Sequence, residues 1–175
     1  MTDTHVPFVH LHTHTHYSLL DGGSKIGDLI AKAKALGMDS LAITDHGNMF
    51  GAIEFYKEAK SAGIKPIIGY EAYIAPGDRR DKEAKGIDDA SFHLLLLAMD
   101  LTGYRNLLKL ASTAYLDGFY YRPRIDKQVL REHHEGLICA SACLAGEIPQ
   151  AILREDVDRA RQVVEEYLAI FGPDR

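Results

Sequence analysis

Four histidines, His10, His12, His14 and His16, occupy alternate positions in Val9-His10-Leu11-His12-Thr13-His14-Thr15-His16-Tyr17. In an extended strand, side chains two residues apart leave the backbone on the same side. The spacing therefore predicts imidazoles presented on one face, with Phe8, Val9 and Leu11 supplying strand-forming bulk. Imidazole is the commonest nitrogen ligand for Zn²⁺ and its first-row neighbours. Interposed threonines, an apolar start and the following Leu19-Leu20-Asp21-Gly22 distinguish the run from a tag. The chemistry it predicts is metal binding, provided other elements bring further ligands.

Those elements alternate. Ser24 to Leu36 carries Ile26, Leu29, Ile30, Ala33 and Leu36 at helical spacing and ends at Gly37. Ser40 to Thr44 follows as a short buried strand leading into Asp45-His46-Gly47. Asn48 to Ala62 is a second helix, stopped by Gly63, and Ile67 to Ile74 is a third strand containing Glu71. Aligned on Gly37 and Gly63, the two helix-to-strand passages each place a carboxylate eight residues on, Asp45 and Glu71. Ala75 to Ser91 is polar and reads as a mobile loop or lid. Phe92 to Met99 is a strand whose Leu94–Leu97 run suits burial on both faces. Thr102 is the expected N-cap of a helix bearing Tyr104, Leu107, Leu108, Ala111 and Tyr115. An aromatic and basic turn, Gly118 to Arg124, precedes a helix at Asp126 to Glu135, a strand at Leu137 to Cys143, and helices near Glu147–Arg154 and Asp156–Phe171.

Alternating strands and helices predict a parallel sheet with right-handed crossovers. No dinucleotide-type glycine fingerprint follows the first strand, which favours a (β/α) barrel. Barrel chemistry sits at the C-terminal ends of strands, and His12, His14, Asp45, His46, Glu71 and Cys143 each lie at or past such an end. The chain has 175 residues, enough for one domain or part of a larger one, and a formal net charge of −5 gives no support for bulk attraction to nucleic acid or membrane. No run reaches transmembrane length and the N-terminus lacks signal-peptide character. Two cysteines, Cys139 and Cys143, argue against a disulfide scaffold, so a cytoplasmic location is expected.

His12, His14, Asp21, His46, Glu71, His93 and Cys143 together exceed what one metal needs. Nitrogen, oxygen and sulfur donors suit Zn²⁺, with Mn²⁺ or Fe²⁺ at the harder positions. A shared carboxylate such as Glu71 can bridge two ions, and paired metals favour phosphoester hydrolysis. Each residue has a plainer reading. His46 and Asp21 suit turns, Cys143 suits a small buried apolar position, and His93 precedes its strand, which from position alone makes it structural. Cys139, His5, His133 and His134 are read as structural or surface residues. Arg122 and Arg124 can clamp phosphate, and helix-capping roles fit them equally.

Several motifs resemble one family closely: Phe8-Val9-His10-Leu11-His12 through His14, Tyr17-Ser18-Leu19-Leu20-Asp21-Gly22, Ile43-Thr44-Asp45-His46-Gly47-Asn48, and Gly63-Ile64-Lys65-Pro66-Ile67-Ile68-Gly69. Thr102-Gly103-Tyr104-Arg105-Asn106-Leu107 and Glu135-Gly136-Leu137-Ile138 continue the match. The chain resembles the polymerase and histidinol phosphatase (PHP) domain found at the N-terminus of bacterial replicative DNA polymerase III alpha subunits. The resemblance implies a distorted (β/α)7 barrel of TIM-barrel type, here C-terminally truncated, spanning residues 1–175, with a trinuclear metal site. It raises His93 and Cys143 to ligands beside His12, His14, Asp21, His46 and Glu71, and gives His12, His14, His46 and Glu71 the chemistry. It further implies Zn²⁺, a 3′–5′ exonuclease or phosphoesterase activity, and a parent polymerase acting on primer-template DNA with a proofreading exonuclease subunit and a sliding clamp. The alternatives are a metal-bound structural platform and a stand-alone phosphatase of the histidinol phosphatase type.

Overall fold

The computed structural model describes residues 8–83, 86 and 90–175. Its elements run α1 (Ile26–Ala35), β1 (Ser40–Ile43), α2 (Ala52–Ala62), β2 (Lys65–Ile74), β3 (Phe92–Ala98), α3 (Leu101–Leu116), β4 (Arg124–Ile125), α4 (Lys127–Glu132), β5 (Leu137–Ala140), α5 (Glu147–Leu153) and α6 (Val157–Phe171). Side-chain oxygens accept from backbone N–H groups at three helix starts: Asp100 from Gly103 on α3, Asp126 from Val129 on α4, and Asp156 from Arg159 on α6. Asp100, not Thr102, is therefore the cap of α3; Thr102 lies inside its first turn. Gly63 ends α2 at a φ of 79°, a left-handed C-cap that side chains with a Cβ resist.

The strands form an open sheet in the order β1-β2-β3-β5, with β4 pairing β2 beyond the reach of β1. The sheet is mixed. β1 and β4 run parallel to β2, whereas β3 is antiparallel to both β2 and β5. This corrects the expectation of an all-parallel sheet. Among the described residues of the β2–β3 connection there is no helix or strand to carry a parallel crossover.

Alternation along the strands divides two environments. Tyr70, Ala72 and Ile74 of β2 join Leu94 and Leu96 of β3 in a core with Leu107 and Leu110 of α3, Leu130 of α4 and Val163 and Phe171 of α6. A second core packs Ile26 and Ile30 of α1 and Phe55 of α2 on Leu41 and Ile43 of β1. At about 25 cal/mol per Å² of apolar surface removed from water, these clusters are the main source of stability. Glu71 and Tyr73 point to the other side of β2, and Tyr73 is the register partner of His93.

The predicted lid is tied down where it is described. Arg79 pairs with Asp126 at 2.9 Å and its backbone N–H donates to the same carboxylate at 3.0 Å, while Ala90 and Ser91 are buried. Residues 84, 85 and 87–89 of that stretch, and His5, lie outside the described residues.

Candidate metal centre

The histidine-rich segment is not a regular strand, contrary to expectation. It runs beside β1, with Ala42 N–H donating to His10 C=O at 3.0 Å and Thr44 N–H to Thr13 C=O at 2.8 Å. Side chains take over the return bonds. Thr13 N–H donates to Thr44 Oγ1 at 2.9 Å, and Thr15 N–H donates to Asp45 Oδ1 at 2.6 Å. Such side-chain acceptors compete with a backbone ladder and leave the segment irregular. In consequence the four imidazoles do not share one face. His12 and His14 reach Glu71, His10 packs edge-on against Phe8 in the open, and His16 lies over Tyr17.

Glu71 is the hub. Its side chain is 0% exposed, and four imidazoles surround it. Oε2 lies 2.8 Å from His12 Nε2, 3.1 Å from His14 Nε2 and 3.2 Å from His46 Nδ1; Oε1 lies 2.9 Å from His93 Nδ1. Asp21 Oδ2 holds the far side of His46 at 2.8 Å from Nε2. Cys143 Sγ lies 3.5 Å from His93 Nδ1 and 3.8 Å from Glu71 Oε1. All seven predicted residues thus converge. Among the described residues, three overlapping triads have donor atoms close enough to hold a metal ion: His12–His14–Glu71, His14–Asp21–His46, and His46–Glu71–His93.

Strand direction explains His93, the residue whose position argued against it. Because β3 runs opposite to β2, its first residues lie at the same end of the sheet as the last residues of β2. The two expected carboxylates, by contrast, part company. The register pairs Ser40 with Lys65, and a bridge pairs His46 with Glu71, so Asp45 is one residue out of phase with Glu71. A one-residue offset reverses the face. Asp45 turns away to accept from Thr15 Oγ1 at 2.8 Å and Ser18 Oγ at 3.2 Å, 2% exposed. It fixes the ligand loop and is not itself a member of the triads.

Electrostatics follow from burial among bases. Burial alone would raise the Glu71 carboxyl, but hydrogen bonds from His12, His14 and His93 together outweigh it and hold the group well below the usual carboxylate range. The hydrogen bond to Glu71 raises His14 against the opposing effect of burial. His46 is lowered, chiefly by burial, which favours the neutral imidazole that metals bind. Burial, with Glu71 nearby, raises the Cys143 thiol, whereas Cys139 is pushed up to about 12 by burial alone.

Two residues escaped the sequence reading. Tyr73 stacks on His46 at 5.9 Å between ring centroids and meets His93 edge-on at 5.2 Å. Its place two residues after Glu71 on one strand was the available signal. Gly47, at a φ of 64°, lets this wall close: a Cβ there would stand 2.8 Å from Tyr73 and 2.9 Å from Pro123. Arg124, read as a phosphate clamp, is instead structural. It is 2% exposed, and its guanidinium donates to the carbonyl oxygens of Gly118, Ala90, Arg79 and Asp81 at 2.6 to 3.1 Å. Four of its five N–H groups are so engaged and the side chain is buried, which takes it out of reach of an anion.

The profile of the PHP domain family matches residues 10–175. This chain belongs to the PHP domain family. The PHP domain is 56% identical over 168 residues to the DNA polymerase III subunit alpha of Thermus aquaticus, covering 94% of this chain and 14% of that protein. It is 55% identical over 167 residues to the DNA polymerase III subunit alpha of Borreliella burgdorferi, covering 95% of this chain and 15% of that protein. The chain therefore spans about one-seventh of the length of these relatives. Among solved structures, an amidohydrolase from Chromobacterium violaceum is similar over 61% of this chain and 32% of its own, at 24% identity and a TM-score of 0.43. Among the described residues, no helix of the PHP domain is long and apolar enough to cross a membrane.

Proposed function

We propose that His12, His14, Asp21, His46, Glu71, His93 and Cys143 hold a multinuclear metal centre that hydrolyses phosphoesters, with 3′–5′ exonuclease action on DNA as its use. The single observation that carries this reading is Glu71, a sealed carboxylate with four imidazoles and, among the described residues, no Lys or Arg against it. The donor set also fits a metal at its orphaned atoms. His14 Nδ1 and His46 Nδ1 are buried without a hydrogen-bond partner, although His46 Nδ1 stands 3.2 Å from Glu71. Mixed nitrogen, oxygen and sulfur donors favour Zn²⁺, with Mn²⁺ or Fe²⁺ at oxygen-rich positions.

Bound metal ions would supply Lewis acidity and lower the pKa of water, which is the chemistry a phosphoester needs. The chain's own residues do the positioning. Glu71 aligns the rings of His12, His14 and His93, Asp21 orients His46, and Asp45 pins the Thr15–Ser18 loop on which His14 and Asp21 depend. Gly22 allows the loop to close, since a Cβ there would stand 1.8 Å from Thr15 O.

The whole protein on this reading is a bacterial replicative DNA polymerase III alpha subunit with this domain at its N-terminus. It would act on primer-template DNA in the cytoplasm, alongside a proofreading exonuclease subunit and a sliding clamp, and DNA synthesis would reside in the remainder of the protein. What supports the assignment is identity above one half along nearly all of this chain. The test is His14→Ala in the full-length protein. Bound metal, counted by plasma mass spectrometry after dialysis, should fall, and metal-dependent 3′–5′ hydrolysis should drop at least about 100-fold while polymerisation persists. Hydrolysis unchanged in that variant would overturn the reading. Chelation that lowers the melting temperature of a protein with no hydrolysis at any metal loading would replace it with a structural role.

A further inference from the structure

We infer that Arg122 forms a phosphate subsite beside the metal centre, and that it grips a phosphate neighbouring the one being cut, so that the substrate is a polynucleotide strand and not a phosphomonoester. This deepens the phosphoesterase reading and rests on it. Arg122 and Arg124 are two residues apart, yet their guanidinium groups have opposite fates. That of Arg124 is buried and donates to four carbonyl oxygens, whereas that of Arg122 makes no ion pair or side-chain hydrogen bond among the described residues. It lies over the Tyr73 ring, 4.9 Å from the centroid. Tyr73 in turn touches His46 and His93, so a single ring separates a half-buried cation with open donors from the ligand cluster.

The placement is built, not incidental. Tyr121 holds a φ of 58°, a left-handed conformation that a bulky residue rarely adopts. Tyr120 N–H donates to Arg122 C=O at 3.0 Å, which closes the turn, and Pro123 packs where Gly47 leaves room beside His46. Arg124 anchors the turn's far end. A strained turn clamped on both sides presents one free guanidinium at the rim of the candidate centre. Arginine's planar fork matches two phosphate oxygens, and stacking on an aromatic ring fixes its plane. Because Tyr73 intervenes, Arg122 does not contact the ligands, and a phosphate held there is displaced from the reacting one.

The test compares wild type with Arg122→Gln and Arg122→Lys in the full-length protein, loaded with Zn²⁺. Two substrates are used: a single-stranded oligodeoxynucleotide labelled at its 5′ end and bis(p-nitrophenyl) phosphate, a diester with no neighbouring phosphate. Arg122→Gln should raise KM for the oligonucleotide about tenfold with kcat changed less than twofold. The ratio of kcat/KM between oligonucleotide and small diester should fall about tenfold, at unchanged metal content. Arg122→Lys should recover only part of that ratio, because a point charge replaces a fork. Equal losses on both substrates, or an unchanged KM, would overturn the subsite while leaving the phosphoesterase reading intact. Turnover of neither substrate by wild type would overturn both.

Discussion

Two clusters of charge show what a protein does when it must satisfy carboxylates from its own chain and what it does when it need not. Where α4, α5 and α6 meet, Glu147 and Glu166 face Lys127 and Arg159. Lys127 pairs with both carboxylates, and Arg159 bonds Glu147 at 2.7 Å and Glu166 at 3.0 Å. Two permanent cations answer two anions, and the cluster is complete. Around Glu71 the partners are imidazoles, cationic only when protonated, and Asp21 adds a second negative charge. The helix cluster is closed by its own side chains; the other leaves a place for a cation from solution.

The comparison breaks most visibly at its hub. Glu71→Gln keeps the shape and removes the charge, and should weaken metal binding by on the order of 100-fold or more, read as ions retained after dialysis. Retention at the wild-type level would show that the histidines suffice without it. Glu147→Gln makes the opposite contrast. It strips one anion from two partly buried cations and should cost about 1–3 kcal/mol in the denaturant midpoint, with metal content unchanged.

A smaller effect sharpens the same contrast through pH. Burial would raise the Glu166 carboxyl, but Lys127 and Arg159 more than offset it and the group is lowered from its ordinary value of 4.5. A carboxyl depressed in the folded state stabilises above its unfolded pKa, and that stability is lost as pH falls toward the folded value. Glu166→Gln should therefore be less stable than wild type at pH 7, and the two melting curves should converge as pH drops below about 4.5. Arg161→Ala marks the floor. Its partner Asp158 is 4.0 Å away on an open helix face, and its loss should move stability by less than about 0.5 kcal/mol.

The helices were legible because a period near 3.6 leaves little freedom once burial is required. Ile26, Ile30 and Leu107 are buried where their spacing put them, whereas Leu36, Leu108 and Tyr115 of the same stripes are exposed at the margins. Strand direction was not legible. His93 makes sense only once β3 is known to run antiparallel, and a strand reads alike in either direction. Asp45 misled for a related reason. Counting from Gly37 and Gly63 gave it the phase of Glu71, but β1 begins three residues after its glycine and β2 two, and that single step turned Asp45 to the other face. Arg122 and Arg124 share a motif, and sequence cannot tell a guanidinium buried against carbonyls from an open one. The histidine run was half legible: His12 and His14 converge, while competition from Thr44 and Asp45 side chains breaks the alternation that would have aligned His10 and His16.

The Arg124 clasp has a consequence for how the fold breathes. One guanidinium ties carbonyls at residues 79, 81, 90 and 118, which gathers both flanks of the long β2–β3 connection and the start of the aromatic turn onto a single side chain. Segments joined in this way do not fray one at a time. Loss of the clasp exposes all four carbonyls in one event, so residues 79, 81 and 90 and the turn that carries Arg122 belong to the same cooperative opening unit, with amide protection that rises and falls together.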